Sequence, residues 1–303
     1  MKILKYIYAC ILAISACACT ENVNIKTTTI LLNPSTPHAN NYTAILPQNK
    51  PIESYLVLIP GFGESADDVL KATDLPRKAA QAGIAVFIPS LQNGVESYSF
   101  SAESQNTLRH IINNIRDRFP FSDKKYAIGG FSMGGSAAIR YAELTSHNAP
   151  KCVFAIDSPL DYQRFRYATE RDVNTYRKGI ADGDSIYIQL LRDISPLICD
   201  SPYLLSDTTH QAILPLINMP IRYYIEPAEQ WWLDNRQTDV LGLNILDATA
   251  FINDLRLLGN KNAELIVTSQ RGYRNNGTTY HPHSWSIADT QSLIEWLQHN
   301  LNR

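Results

Sequence analysis

The sequence predicts an α/β protein: one mostly parallel central sheet with helices on both faces. Two patterns carry that expectation. Short continuous apolar runs, each the length of a strand, recur at Tyr55 to Pro60, Ile84 to Pro89, Tyr126 to Ser132, Cys152 to Asp157, Ile221 to Glu226 and Ala263 to Thr268. Unbroken apolar strands of this kind belong to sheets covered on both sides. Between them, apolar residues return at helical spacing, with Leu108, Ile111, Ile112 and Ile115 on one face and Phe251, Ile252, Leu255 and Leu258 on another. The 303 residues suffice for one substantial domain.

The N-terminal residues precede that domain. Lys2 and Lys5 lead into an apolar run from Ile7 to about Ala16 that ends in small residues, the pattern of an export signal. The run is shorter than the roughly 20 apolar residues that span a bilayer. Ile14-Ser15-Ala16-Cys17 resembles the lipobox of bacterial lipoproteins, in which the chain is cut before the cysteine and that cysteine receives lipid. The resemblance implies residues 1–19 as signal and anchor region, residues 20–303 as the folded domain, and an exported protein held on a membrane through Cys17. Several acyl chains, at about 0.8 kcal/mol per buried methylene, make a stable anchor. The competing reading is an ordinary cleaved signal in which Cys17 is incidental, with the nearby Cys19 complicating the assignment.

Next, Ile25 to Leu32 and Tyr42 to Leu46 are β-rich and separated by Asn33-Pro34-Ser35-Thr36-Pro37, which reads as a hairpin at the sheet edge. The parallel strands and helices follow. One connection, about 160–218, is far longer than the others and rich in aromatic and charged residues such as Tyr162, Arg164, Phe165 and Arg166. It reads as a helical cap over the C-terminal edge of the sheet, where open α/β sheets bind ligands. Gly259-Asn260 stops the helix before the last strand, and Leu293, Ile294 and Leu297 mark a terminal helix.

Composition excludes some functions. Lys and Arg number 27 against 29 for Asp and Glu, so a net charge of −2 offers no reason to expect a nucleic-acid partner. No repeat at solenoid or propeller period is present. Outside the signal only Cys152 and Cys199 remain; an exported protein permits them to pair, but a small buried thiol is the simpler reading of Cys152.

The chemistry-bearing motif is Gly130-Phe131-Ser132-Met133-Gly134, a G-x-S-x-G pentapeptide between the strand at Tyr126-Ala127-Ile128 and a small-residue helix beginning Gly135-Ser136-Ala137-Ala138. A sharp strand-to-helix turn holds the serine in a strained backbone, and its glycine neighbours keep side chains out of the bend. A hydroxyl of ordinary acidity is a weak nucleophile, so the chemistry also needs a base, a group to orient that base and donors for an oxyanion. Earlier in the chain, the Gly-rich turn Pro60-Gly61-Phe62-Gly63-Glu64-Ser65 follows the strand Tyr55 to Ile59.

Strand order, glycine turn and Gly-Phe-Ser-Met-Gly elbow together resemble the α/β-hydrolase superfamily over most of the mature chain. The resemblance implies an α/β-hydrolase fold with a helical cap insertion. It also implies an oxyanion hole at the backbone N–H groups of Phe62 and Met133, although Pro60 stands where many members carry histidine. Members run serine, acid, histidine along the chain. The histidine is then His283 in His281-Pro282-His283-Ser284-Trp285, with His281 its competitor. The acid is Glu226 at the end of the strand Ile221 to Ile225, with Glu229 and Asp234 as alternatives; Asp157, at the end of the preceding strand where some members recruit their acid, is a lesser alternative and reads rather as a turn aspartate before Ser158-Pro159. Trp231, Trp232 and Trp285 are candidates for an aromatic wall that would suit sugar rings or aromatic acids.

These readings converge on a serine hydrolase of carboxylic esters acting through an acyl-enzyme, with no metal and no cofactor. Its substrates are small esters, acylated carbohydrates among the candidates. An acyltransferase or peptidase would use the same residues, and a non-catalytic ligand-binding lipoprotein is the reading outside catalysis.

Overall fold

A computed structural model describes residues 23–32, 40–91, 100–119, 125–175, 195–275 and 277–303. The signal region with Cys17, the turn at Asn33 to Pro37 and the middle of the 160–218 connection lie outside the described residues.

The strands are β1 Ile25–Leu31, β2 Asn41–Pro47, β3 Ser54–Ile59, β4 Ile84–Ser90, β5 Tyr126–Phe131, β6 Cys152–Ile156, β7 Ile221–Ile225 and β8 Ala263–Val267. They form one sheet in the order β1-β2-β4-β3-β5-β6-β7-β8. β1 pairs antiparallel with β2, and β2 antiparallel with β4; from β4 to β8 every pairing is parallel. The expected edge hairpin and mostly parallel sheet are therefore both present. Polar Lys26, Thr27, Thr28 and Thr29 on β1 are exposed, as suits an edge strand that must not recruit another chain.

Alternation along a strand divides the core. On β3, Tyr55, Val57 and Ile59 enter one apolar cluster, while Leu56 and Leu58 enter the cluster on the opposite face. All of β3 is buried because both faces are covered, which is why its sequence shows no polar alternation. One face is packed by α3 Ala102–Arg118, α4 Met133–Leu144 and the helix Ile245–Leu257, here α7, through Leu108, Ile111, Ile139, Phe251 and Leu255. The other is packed by α1 Ala66–Ala72, α2 Leu75–Gln81 and the terminal helix Thr290–Leu301, here α8, through Val69, Leu75, Leu293 and Leu297. The predicted helical faces are buried except for Leu258, the C-cap of α7, which is partly buried, and Gly259 follows it at φ +104°, a conformation that glycine adopts without strain.

Within the long connection, α5 runs over Tyr162–Thr175, followed by 3₁₀ turns at Ser195–Asp200 and Gln211–Leu216. Tyr162 joins Phe100 and Met133 in a small apolar cluster against which Phe62 and Phe165 pack, so α5 lies above the end of β5. Another helix, α6 at Glu229–Arg236, follows β7. A short antiparallel pair of two-residue strands, β9 Tyr273–Arg274 with β10 Thr279–Tyr280, precedes the terminal helix. Cys152 is buried and Cys199 is exposed, with no disulfide between them. Among the described residues no helix is long and apolar enough to cross a membrane.

Candidate active site

The elbow at Ser132 has the backbone that the motif demands. Ser132 sits at φ 54°, ψ −128°, a region that costs a non-glycine residue about 1–3 kcal/mol and persists only when its surroundings impose it. They do so by contact. A Cβ on Gly130 would lie 2.5 Å from Ile59 O and 2.5 Å from Gly134 C, and one on Gly134 would lie 2.3 Å from both Ile59 O and Pro60 O. Strand β3, strand β5 and helix α4 thus approach at a distance only glycine allows, and the bend lifts Ser132 to the C-terminal edge of the sheet. The Ser132 N–H donates to Ile156 O at 2.9 Å, fixing the turn to β6. As the residue that caps α4, Ser132 also faces the positive end of that helix dipole.

His283 reaches this serine from the loop after β10. Its Nε2 lies 3.1 Å from Ser132 Oγ, and its Nδ1 lies 2.7 Å from Asp157 Oδ2. The ring packs tilted against Phe131 at 4.5 Å between centroids, and Phe131 in turn meets Trp285 at 5.2 Å. The Asp157 side chain is 5% exposed, and its second oxygen accepts from Asn244 Nδ2 at 2.9 Å. Its carboxylate is thereby held in one orientation, directed at the imidazole. Asp157 itself adopts φ 43°, a second strained position one residue past β6.

The acid expected from the sequence, Glu226, is placed elsewhere. It is buried, but its Oε1 accepts from the Tyr280 hydroxyl at 2.6 Å and its Oε2 from Arg271 N at 2.9 Å and Thr268 Oγ1 at 3.1 Å. Both oxygens are consumed in tying the 268–280 loop to the end of β7, and the partner of His283 is Asp157. Glu229 and Asp234 are exposed on α6, and Asp234 accepts from Gln230 Nε2 at 2.8 Å. Asp157 does not cap Ser158: the Ser158 N–H donates to the Tyr223 hydroxyl instead.

His281 stands beside the site and not in it. Its ring packs on Trp231 at 4.7 Å and Trp232 at 5.8 Å, and its Nδ1 accepts from the His283 N–H at 3.2 Å. Burial first, then the positive charges of Arg274, His283 and Arg236, push its pKa down to about 3. The three tryptophans do not form one wall. Trp231 and Trp232, both on α6, pack with His281, whereas Trp285 is buried against Phe131.

The turn after β3 faces the serine across an open groove lined by Gly61, Phe62, Ser132, Met133 and His283. It is braced by Glu64, which lies in the turn segment but has no role that sequence alone assigns. Glu64 Oε2 accepts from the Gly61 N–H at 2.8 Å, and the Trp285 indole Nε1 donates to the same carboxylate at 3.2 Å. One side chain therefore links the glycine turn to the loop that carries His283. Burial raises the Glu64 pKa, opposed by those two hydrogen bonds and by the His283 charge. Arg274 closes the far side by donating from Nε to His283 O at 3.0 Å. Among the described residues no group of three or more His, Cys, Asp or Glu side chains could hold a metal ion.

No family model matches the sequence, and no curated protein matches it. Solved structures do. The chain is similar to S-formylglutathione hydrolase (FrmB) from Staphylococcus aureus, with TM-score 0.57 and 18% identity over 92% of this chain and 100% of that one. It is similar to esterase Pf2001 from Pyrococcus furiosus, with TM-score 0.55 and 13% identity over 91% and 93% of the two chains. Esterase B from Lactobacillus rhamnosis matches with TM-score 0.57 and 12% identity over 93% and 87%. At these identities the likeness is one of fold: the chain has the α/β-hydrolase fold.

Proposed function

We propose that the protein is a serine hydrolase that cleaves carboxylic esters through an acyl-enzyme, with Ser132 as nucleophile, His283 as base and Asp157 as the acid that orients it. The observation that carries this reading is the continuous line from Ser132 Oγ to His283 Nε2 at 3.1 Å and from His283 Nδ1 to Asp157 Oδ2 at 2.7 Å, at the mouth of a groove.

In this mechanism His283 Nε2 takes the Ser132 proton as Oγ attacks the ester carbonyl carbon. The imidazolium so formed faces the Asp157 carboxylate, which stabilises it and keeps Nε2 directed at the serine. The carbonyl π electrons move onto oxygen, and the backbone N–H groups of Phe62 and Met133 are the assigned donors to that oxyanion. A preorganised donor of this kind is worth about 2.7–4 kcal/mol in the transition state. Collapse of the tetrahedral intermediate breaks the bond to the alcohol oxygen, which takes the proton from His283 and leaves. Water then repeats the sequence on the acyl-enzyme, with His283 again as base, and releases the acid.

Ser132→Ala is expected to abolish both ester turnover and covalent labelling by a fluorophosphonate while keeping the circular dichroism of the parent. Turnover that persists at the parent rate in this variant refutes the nucleophile assignment. The export and anchoring read from the sequence are part of the same proposal: a lipid on Cys17 would hold the enzyme at a membrane face outside the cytoplasm. If Cys17→Ser still fractionates with membranes and is processed like the parent, that part is wrong.

A further inference from the structure

Two spaces of unequal size meet at Ser132. One is the open groove, of ≈ 1320 Å³, and the other a slot of ≈ 240 Å³; Ser132, Met133, Phe165 and His283 border both. An ester has two halves, one on each side of the attacked carbonyl, and the two spaces offer them different surroundings.

The slot presents an apolar wall from Met133, Phe165, Ile225, Trp232 and Leu243. Polar side chains also border it, but their hydrogen bonds are made within the protein. Asp172 accepts from Arg171 Nη2 at 2.6 Å on one oxygen and from Thr238 Oγ1 at 3.0 Å on the other. Glu226 is engaged by Tyr280, Arg271 and Thr268, and Asn244 donates to Asp157. Thr169 Oγ1 donates to Phe165 O at 2.8 Å. A hydroxylated or charged group entering the slot would give up water for walls whose polar atoms are already paired, so an apolar group is favoured. At about 30 Å³ per water-sized unit the slot holds about eight non-hydrogen atoms. The groove is different: Asp68, Lys71, Arg271, Arg274 and Asp289 line it, and it suits a hydrophilic group of larger size.

The acyl group stays bonded to Ser132 between the two half-reactions, whereas the alcohol must leave and water must enter. Confinement suits the first and a wide polar opening suits the second. Resting on the catalytic reading above, we infer that the substrates are esters joining a compact apolar acyl group, of about eight non-hydrogen atoms or fewer, to a larger hydrophilic alcohol, with the acyl group in the slot behind Trp232 and Leu243 and the alcohol in the groove.

The experiment uses the protein without its signal and esters of one chromogenic alcohol whose linear acyl chains run from acetyl to hexadecanoyl. The expected profile of kcat/KM falls at least about tenfold between octanoyl and dodecanoyl, the scale by which a pocket rejects a group that no longer fits. Leu243→Trp, which fills the slot, should move the fall to shorter chains. Trp232→Ala, which enlarges it, should move the fall to longer ones. A second series, with a butanoyl group on alcohols from methanol to a disaccharide, should show no such fall. The readout is the ratio of long-chain to short-chain rates within each variant, so a general loss of activity does not mimic the result. A profile flat to hexadecanoyl, or one unmoved in both variants, overturns the slot assignment while fluorophosphonate labelling of Ser132 shows that the catalytic reading stands. Absence of both labelling and turnover overturns the catalytic reading, and the slot assignment with it.

Discussion

Asp157 and Glu226 are both carboxylates at the ends of adjacent parallel strands, both nearly fully buried, and both fully hydrogen-bonded. Their partners separate them: an imidazole and an amide for Asp157, a phenol, a hydroxyl and a backbone N–H for Glu226. Asp157→Asn keeps the shape but replaces an anion with an amide, which can stabilise the wrong imidazole tautomer and cannot stabilise an imidazolium. Its expected loss in kcat reaches about 10⁴, the scale known for acid-to-amide changes in such triads. Glu226→Gln should keep kcat within a few fold and lower stability by about 1–2 kcal/mol through weakened hydrogen bonds. Steady-state kinetics paired with denaturant unfolding measures both, and a larger kcat loss in Glu226→Gln than in Asp157→Asn would return the acid role to Glu226. The serine and histidine were legible because each lies in a local signature, an elbow and a histidine-bearing loop before the last helix. The acid was legible only as a lesser alternative behind Glu226, because what distinguishes Asp157 is contact with His283, 126 residues away, and with Asn244, 87 residues away. Local sequence presents it only as an aspartate before Ser-Pro.

The start of helix α7 joins the site to the element above it. Asn244, at its N-cap, holds Asp157, and Asp247, one turn on, accepts from the Leu160 and Asp161 N–H groups at 3.0 Å each. Asp247 also pairs with Arg164 of α5, Oδ1 with Nε at 2.5 Å and Oδ2 with Nη2 at 2.8 Å, the two side chains being 0% and 9% exposed. Burial raises the Asp247 pKa, and the Arg164 charge and these hydrogen bonds oppose that rise. Removing one member of a buried pair leaves the other charge unpaired, so Asp247→Ala is expected to cost about 3–5 kcal/mol. Arg164→Ala added to it should cost much less than its own single effect, because the two act on one interaction. Denaturant midpoints of the four proteins test this; strictly additive losses would show that the pair is not coupled. The helices themselves were legible from 3.6-residue spacing, and α5 falls inside the predicted cap. Its attachment was not, since Arg164 and Asp247 are 83 residues apart and each reads alone as a surface charge.

At the scale of the whole molecule, the strands could be read from apolar runs, but their order could not: β4 lies between β2 and β3, and only the resemblance to a known fold implied such an arrangement. What the fold does to titrating groups was equally hidden, and it yields a prediction about pH. His281 is packed against Trp231 and Trp232 near Arg274 and Arg236, and its folded pKa is lowered to about 3, whereas the unfolded imidazole titrates near 6.5. Between those values the unfolded chain binds a proton that the folded one refuses, so this residue makes stability fall as pH drops from about 6.5 towards 3. The stability it confers is fully present above 6.5. The ring is only about half buried, and solvent screening reduces the effect below what the full shift would give. Glu64, raised by burial, acts in the opposite sense, since its neutral form is favoured in the fold and stability falls as pH rises from about 4.5 through its folded value. The total slope sums these two with the other shifted carboxylates, Asp247 and Glu143 among them, and a difference between variants isolates the part due to His281. His281→Gln removes the titrating ring while retaining a polar side chain of similar reach. Its unfolding free energy, measured at intervals from pH 7.5 to 4, should fall less steeply with acid than that of the parent, the gap opening below about 6.5. Parallel curves over that range would mean that His281 takes its proton equally well in the folded state, and that its packing against the tryptophans does not exclude the charge.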